Sequence, residues 1–570
     1  MPHRTVVTVG AENPLKILRT TEMRELDRRA IHELGVPEAV LMENAGAAVA
    51  RVALSLLDAG HPKQPHPRRV LLFAGKGNNA GDGFVAARHL LAHGEAIDLK
   101  VTLADPDATF TGAAAANLEI LRQDRSWDRI AVGRAVCHRL AVKGGGMWEQ
   151  AGPWGPAAPE LIIDALVGTG LTGSPHGIMA EAIELLNSIA ATHSCPVLSV
   201  DVPSGLDAET GAVGGPCVHA TYTVTFAHLK RGLVTNPVAD YAGHVLVAGI
   251  GFPPSVEGAI TSDTCLLTAR QAARLLPARP LSGHKGTFGH VVSVAGSADY
   301  TGAAWLCAAA ALRAGAGLST LASVREVLAA GAIFPEVITA TTERPLDFSP
   351  YNALALGPGL GTGSVALQLV TKILDEVLPA NPLPAVLHAD ALNIASMGGG
   401  VDFLRGDCRN PCFVLTPHPG ELARLLDKSI AAIQSDRIGH ALAAASRSQS
   451  VVCLKGAHTV VASPSGAVRV IPFGNPGMAT GGAGDVLTGV IAGLLANGLE
   501  PFNAACLGAY VHAVAGDLAA VEVCRTGDAA SDTKVAAAGL LARDILDRIP
   551  AALGKLRRGD IIVENITRLP

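Results

Sequence analysis

The chain has 570 residues, a formal net charge of −5, 49% hydrophobic and 17% charged residues. That length holds two large domains, or several small ones, at the usual ~100 to 200 residues each. A charge this small, spread over both signs without long runs, excludes an electrostatic footprint for nucleic acid or an anionic membrane surface. The 63 glycines and only 4% aromatics suit close-packed helices and strands joined by tight turns, the composition of a buried α/β protein.

The first twenty residues carry Arg4, Glu12, Lys16 and Arg19 without a continuous apolar core, which argues against a secretory signal. Helical patterns are predicted for Thr21 to Leu34 and Pro37 to Leu57, followed by a Pro-rich loop from His61 to Pro67. Strands are predicted at Val70 to Phe73, Ile97 to Leu103, Leu161 to Ile163, Val197 to Val200 and Tyr222 to Phe226. The first leads through Gly75-Lys76-Gly77-Asn78-Asn79-Ala80-Gly81-Asp82-Gly83 into a helix from Phe84 to His93. Such a turn meets a pyrophosphate with backbone N–H groups in Rossmann-like proteins. A tight strand-to-helix turn capped by Asn and Asp explains it equally simply.

The pattern breaks where Pro253, Pro254, Pro277 and Pro280 flank a mixed segment. The expected division is therefore a domain over 1–252, a linker over 253–280 and a second domain over 281–570. Later strands are predicted at Val291 to Ala295, Ala353 to Leu356, Ala385 to Leu387, Phe413 to Leu415, Val451 to Leu454 and Thr459 to Ala462. Strands alternating with helices imply parallel sheets, and the halves share no repeat. The apolar run from Val486 to Leu495 is shorter than the ~20 residues a bilayer needs and contains Thr488, Gly489 and Gly493, so it reads as a buried helix.

Cys137, Cys195, Cys307 and Cys506 sit in apolar segments and read as buried reduced thiols, so a reducing, cytoplasmic setting is expected. Cys408 and Cys412 form a lone C-x3-C without a second ligand pair, which suits ordinary loop cysteines better than zinc.

Polar residues at strand ends carry the chemistry, because the carboxyl ends of parallel strands face one crevice. Asp164 opens Asp164-Ala165-Leu166-Val167-Gly168-Thr169-Gly170-Leu171-Thr172-Gly173-Ser174, and Asp201 opens Asp201-Val202-Pro203-Ser204-Gly205. With the Gly75 turn, these segments resemble the NAD(P)H-hydrate epimerase family over nearly all of the first 250 residues. The resemblance implies a Rossmann-like domain with dinucleotide contacts at Asn78, Asn79, Ala80, Gly81 and Asp82, at Gly168, Thr169, Gly170, Leu171, Thr172, Gly173 and Ser174, and at Asp201. It also implies a potassium ion (K+) at Asn79, Asp164 and Ser204; oxygen ligands suit a hard cation. Position 80 is Ala where the family usually has Gly. Epimerisation at a hydrated ring carbon needs an acid/base, and Asp164 is the expected one. That Asp164 serves only the ion is the open alternative.

In the second half, Asn475-Pro476-Gly477-Met478-Ala479-Thr480-Gly481-Gly482-Ala483-Gly484-Asp485 precedes an apolar helix. Small residues there present unpaired N–H groups and a helix dipole to a transferred phosphate, and Asp485 can take a proton from an attacking hydroxyl. This arrangement resembles the ribokinase-like superfamily, a doubly wound α/β fold. With His284-Lys285-Gly286, Tyr300 to Ala304, Gly357-Pro358-Gly359-Leu360-Gly361, Thr416-Pro417-His418-Pro419-Gly420-Glu421 and Lys455-Gly456-Ala457-His458-Thr459, it is similar to ADP- or ATP-dependent NAD(P)H-hydrate dehydratases.

The resemblance implies hydrate contacts at Ala303, Gly359, His418 and Asp485, nucleotide contacts at Lys455, Gly456, Ala457, His458, Thr459 and Gly484, and Mg2+ with ADP or ATP. His388 stands where that family usually has Asp, and Ala483 where Thr is common. The ligands expected are hydrated NADH or NADPH and ADP or ATP, with no nucleic acid and no membrane; a homo-oligomer is allowed but not required. Two alternatives remain: a fused small-molecule kinase, and a first half that binds a nucleotide or partner without catalysis.

Overall fold

The computed structural model describes residues 15–60, 67–93, 96–105, 107–123, 154, 157–171, 173–235, 238–329, 334–404, 413–524, 537–560 and 566–569. Cys137, Cys408, Cys412, Arg4, Glu12, Thr172 and most of the Pro-rich loop lie outside them.

The chain forms two α/β units: Met1–Ser262 with Asn565–Pro570, and Asp263–Glu564. In the first, seven parallel strands run in the order Ile566–Arg568, His244–Ala248, Tyr222–Phe226, Val197–Val200, Leu161–Ala165, Arg68–Ala74 and Ile97–Leu103. Apart from half-buried Leu246, their Val, Leu and Ile side chains are buried on both faces, as parallel sheets covered by helices require. The segment expected to close the second domain thus supplies a strand to the first sheet, pairing Ile566 with Val245. It covers an edge that would otherwise expose the backbone groups of His244–Ala248.

The second unit has a ten-stranded sheet. Across it lie Ile338–Thr341, Leu318–Ser323, His290–Val294, Ala353–Leu356, Ala385–Leu387, Val414–Leu415, Val451–Leu454, Val460–Ala462, Val468–Val470 and Thr264–Leu266. The first seven are mutually parallel, and Val460–Ala462 is antiparallel to both neighbours. Thr264–Leu266, inside the expected linker, joins this sheet beside Val468–Val470. Its three buried residues were masked in sequence by the surrounding prolines.

The helix Ala483–Ala496 packs on Thr301–Arg313 so closely that a Cβ on Gly489 would overlap the Cys307 carbonyl oxygen. Glycine permits that backbone approach. Two helical stretches, Glu38–Asp58 and Pro501–Val523, are long and apolar enough to cross a bilayer, and the second is 83% buried within its unit. Cys195, Cys217, Cys265, Cys307, Cys453 and Cys506 are buried.

Candidate functional site

In the first unit the helix after the glycine turn begins at Asn78, six residues earlier than the hydrophobic pattern implied. Asn78 to Gly83 therefore form its first turns, with Gly77 as the N-cap. Gly75 must be glycine, since a Cβ would overlap the Leu166 carbonyl where two strand ends meet. Asn79 is buried; its side-chain nitrogen has no partner among the described residues, and its Oδ1 would lie 3.0 Å from a Cβ on Gly168. The structure brings the segments opening at Asn78, Asp164 and Asp201 to neighbouring strand ends; Thr172 lies outside the described residues.

Asp164 is fully buried. Its Oδ1 accepts from Ser204 Oγ at 2.6 Å and Leu166 N at 3.3 Å, while Oδ2 accepts from Ser199 Oγ at 2.8 Å and Ser204 N at 2.9 Å. Burial pushes its pKa up, and these four bonds oppose that. Four donors on one carboxylate, which offers about four lone-pair sites, fix its orientation. Asp164 thereby holds Ser204, whose Oγ also lies 3.1 Å from the Val167 carbonyl and accepts from Val167 N at 2.9 Å.

Asp201 adopts a left-handed backbone, φ 67°, at its strand end, a conformation Asp tolerates better than most residues. Lys230 Nζ donates to Asp201 Oδ1 at 2.5 Å, and Thr225 Oγ1 donates to the same oxygen at 3.2 Å. Burial raises the pKa of Asp27 to about 6 and that of Asp82 well above the carboxylate range, with the Asp201 charge adding to both. Sequence reading missed Lys230. It lies in a two-residue strand, Leu229–Lys230, held by the distant pair Ile17–Leu18, too short to carry a periodic signal.

In the second unit Gly482, at φ 91°, caps the helix that carries Asp485. Burial pushes Asp485 up to about 6, Lys455 pulls it down, and Asp390 and Glu421 push it up. Three adjacent strands deliver His388, Thr416 and Lys455 just past their carboxyl ends. His388 Nε2 lies 3.6 Å from Asp485 Oδ1, and Lys455 Nζ lies 3.6 Å from Glu421 Oε2. Gly484 touches this group: a Cβ there would stand 2.9 Å from His388 Cε1 and 3.3 Å from Lys455 Nζ.

His418 caps its helix, with Nδ1 accepting from Gly420 N at 3.0 Å and Glu421 N at 3.3 Å while Glu421 Oε2 accepts from His418 N at 2.7 Å. That reciprocal capping box occupies one ring nitrogen and leaves Nε2, 3.5 Å from Glu421 Oε1, on a half-exposed side chain. Gly359, φ 62°, lies against Ala303, where a Cβ would come within 3.1 Å of the Ala303 Cβ. Beneath the loop Lys455 to Thr459, buried Arg437 donates to the Leu454 and Lys455 carbonyls at 3.2 and 3.1 Å. Asp517 anchors the start of the glycine-rich segment, accepting from Gly474 N at 3.2 Å and Asn475 Nδ2 at 2.9 Å. Arg437 and Asp517, like His388, escaped sequence reading as site residues because their contacts are non-local.

Residues 291–535 match the NAD(P)H-hydrate dehydratase family, and residues 38–232 match the family described as YjeF-related protein N-terminus. The chain is 41% identical over 558 residues to the bifunctional NAD(P)H-hydrate repair enzyme Nnr of Moorella thermoacetica, covering 95% of this chain and 97% of that one. It is 34% identical over 538 residues to the Escherichia coli enzyme of the same name, covering 91% and 94%. A solved ADP/ATP-dependent NAD(P)H-hydrate dehydratase from Bacillus subtilis, co-crystallised with ATP/Mg2+, is 30% identical with a TM-score of 0.43 over 51% of this chain and 98% of that one. The fused-kinase alternative is not favoured beside such near-full-length relatives. The chain belongs to the family of bifunctional NAD(P)H-hydrate repair enzymes.

Proposed function

We propose that the second unit dehydrates hydrated NADH or NADPH at the expense of ADP or ATP, and that the first interconverts the two hydrate epimers. The observation that carries the first statement is Asp485 at the start of the glycine-capped helix, with Lys455 beside it and its pKa near 6. Above that pH its carboxylate accepts the ring hydroxyl proton as the hydroxyl oxygen attacks the terminal phosphorus of the nucleotide. The helix N-terminus and Lys455 stabilise the charge on the transferred group. Phosphate then leaves with the carbon–oxygen bonding pair, a proton is lost from the neighbouring ring carbon, and the dihydronicotinamide double bond returns.

Among the described residues no cluster of three or more His, Cys, Asp or Glu side chains could hold a metal. Mg2+ bound chiefly through nucleotide phosphates, with few protein ligands, fits that better than a resident ion. The loop Lys455, Gly456, Ala457, His458, Thr459 and Gly484 are assigned to the nucleotide, and Ala303, Gly359 and His418 to the hydrate.

In the first unit the Asn79 side-chain oxygen, which lies beside Gly168, the Ser204 hydroxyl and the Asp164 charge behind it supply oxygen ligands that fit a monovalent ion. K+ held by Asn79, Ser204 and Asp164 would offset phosphate charge. Asp201, gripped by Lys230 and less enclosed than Asp164, is the better proton carrier for epimerisation. The dinucleotide contacts at Asn78 to Asp82 and Gly168 to Ser174 are retained in this reading, and the six buried thiols suit a cytoplasmic setting.

The test is incubation of the full chain with hydrated NADPH, Mg2+ and either ADP or ATP, following recovery of NADPH absorbance and separating both epimers by chromatography. Recovery with one nucleotide and depletion of both epimers supports the reading. No recovery with either nucleotide overturns it.

A further inference from the structure

We propose that His388 is a positioning residue of the dehydratase site, a neutral imidazole whose Nε2–H holds the Asp485 carboxylate for proton transfer. This rests on Asp485 being the base. His388 is buried; its Nδ1 lies 2.9 Å from Thr416 Oγ1 and 3.4 Å from Lys455 Nζ. An ammonium has donors only, so Lys455 is matched by a lone pair on Nδ1. The Thr416 hydroxyl, which also lies 3.2 Å from the Leu387 carbonyl, has one hydrogen, and in this arrangement it donates that hydrogen to Nδ1. The ring proton therefore belongs on Nε2, the atom facing Asp485 Oδ1 at 3.6 Å, a gap that a small swing of the Asp485 carboxylate closes.

The surroundings keep the ring uncharged and in place. Burial and the Lys455 charge hold His388 well below the usual imidazole range, against a smaller upward pull from a hydrogen bond with the Thr416 backbone. The ring lies flush against Gly484, where any side chain would press on Cε1. The charged and titratable groups acting on Asp485 and His388 are Lys455, Asp390, Glu421 and His418, and the buried Cys307 thiol feels Asp485. Asp390 is itself engaged, accepting from Gly361 N at 2.8 Å and Asn393 Nδ2 at 3.1 Å. His388 is thus the neutral donor directed at the base, separating orientation from charge balance.

The test uses the full chain with hydrated NADPH, Mg2+ and the active nucleotide, and reads kcat against pH. His388→Leu should lower kcat roughly 10- to 100-fold, the effect of one hydrogen bond to a charged group, with little change in nucleotide KM. It should also move the acid limb upward, because losing a donor to the charged form raises the Asp485 pKa. His388→Gln, which restores an N–H near the Nε2 position, should return the limb and most of the rate. An unmoved limb in His388→Leu, or a Gln variant no better than Leu, overturns the proposal. Full dehydration by Asp485→Asn overturns the base assignment itself and His388 with it. Independently of how His388→Leu folds, the 15N histidine spectrum of the parent chain, assigned by loss of one signal in His388→Gln, should show the Nε2-protonated tautomer. The Nδ1-protonated form overturns the proposal.

Discussion

Gly484→Ala tests the assembled second site with the smallest possible change. The added methyl favours a helical backbone by about 0.5–1 kcal/mol over glycine. Its position, however, is 2.9 Å from His388 Cε1, 3.0 Å from His388 Nε2 and 3.3 Å from Lys455 Nζ, where ordinary contact begins at 3.4 Å. The lysine tip can retreat; the imidazole is buried and held to Thr416. Overpacking of this kind costs about 1–3 kcal/mol, so net stability should fall by between nothing and about 2.5 kcal/mol. Catalysis should suffer more, since a shift of several tenths of an ångström at the base and its neighbours costs roughly 10- to 100-fold. Dehydration measured by NADPH recovery, beside urea unfolding and separately assayed epimerisation, checks this. A variant with dehydration kcat within about twofold of the parent, a factor worth only ~0.4 kcal/mol, would refute the packing argument.

Asp485→Asn should reduce dehydration by about 10² to 10⁴ while epimerisation, served by the other unit, continues; a near-parental dehydration rate removes Asp485 from the chemistry. Because burial raises the Asp485 pKa to about 6 and the base must be ionised, parental kcat should fall as pH drops through that value; a flat profile down to the ordinary carboxylate range contradicts the assignment. Asp164→Ala should slow epimerisation through misplaced Ser204, with added potassium giving no rescue, and chromatography should show one epimer left behind; equal rapid loss of both epimers would remove Asp164 from this role. Lys230→Met leaves the enclosed Asp201 without its cation, which should cost about 3–5 kcal/mol; urea unfolding indistinguishable from the parent would mean the pair is solvated.

Contiguous signals were legible in the sequence: the glycine-rich run before Asp485, the strand ends at Asp164 and Asp201, and the α/β alternation. Contacts between segments were not. His388, Thr416 and Lys455 meet because their strands are neighbours in the sheet, and strand order is invisible in linear spacing. The carboxyl-end rule that singled out Asp164 applied equally to His388, which reads in sequence only as an unusual residue before Ala389-Asp390. Lys230 is hidden for the opposite reason, its strand being two residues long. The four donors around the Asp164 carboxylate, from Leu166, Ser199 and Ser204, are likewise contacts that linear spacing does not display.

The strand Ile566–Arg568 makes the second unit an insertion within the first. During biosynthesis the sheet built from residues 68 to 248 leaves the ribosome with one border unfinished and waits for the whole of Asp263–Glu564 before its closing strand emerges. Until then, His244–Ala248 offers its free edge to any passing strand, including that of another nascent copy. Cleavage between the units therefore does not yield two complete halves, and a carboxy-terminal deletion should weaken the unit that lies farthest from it in sequence.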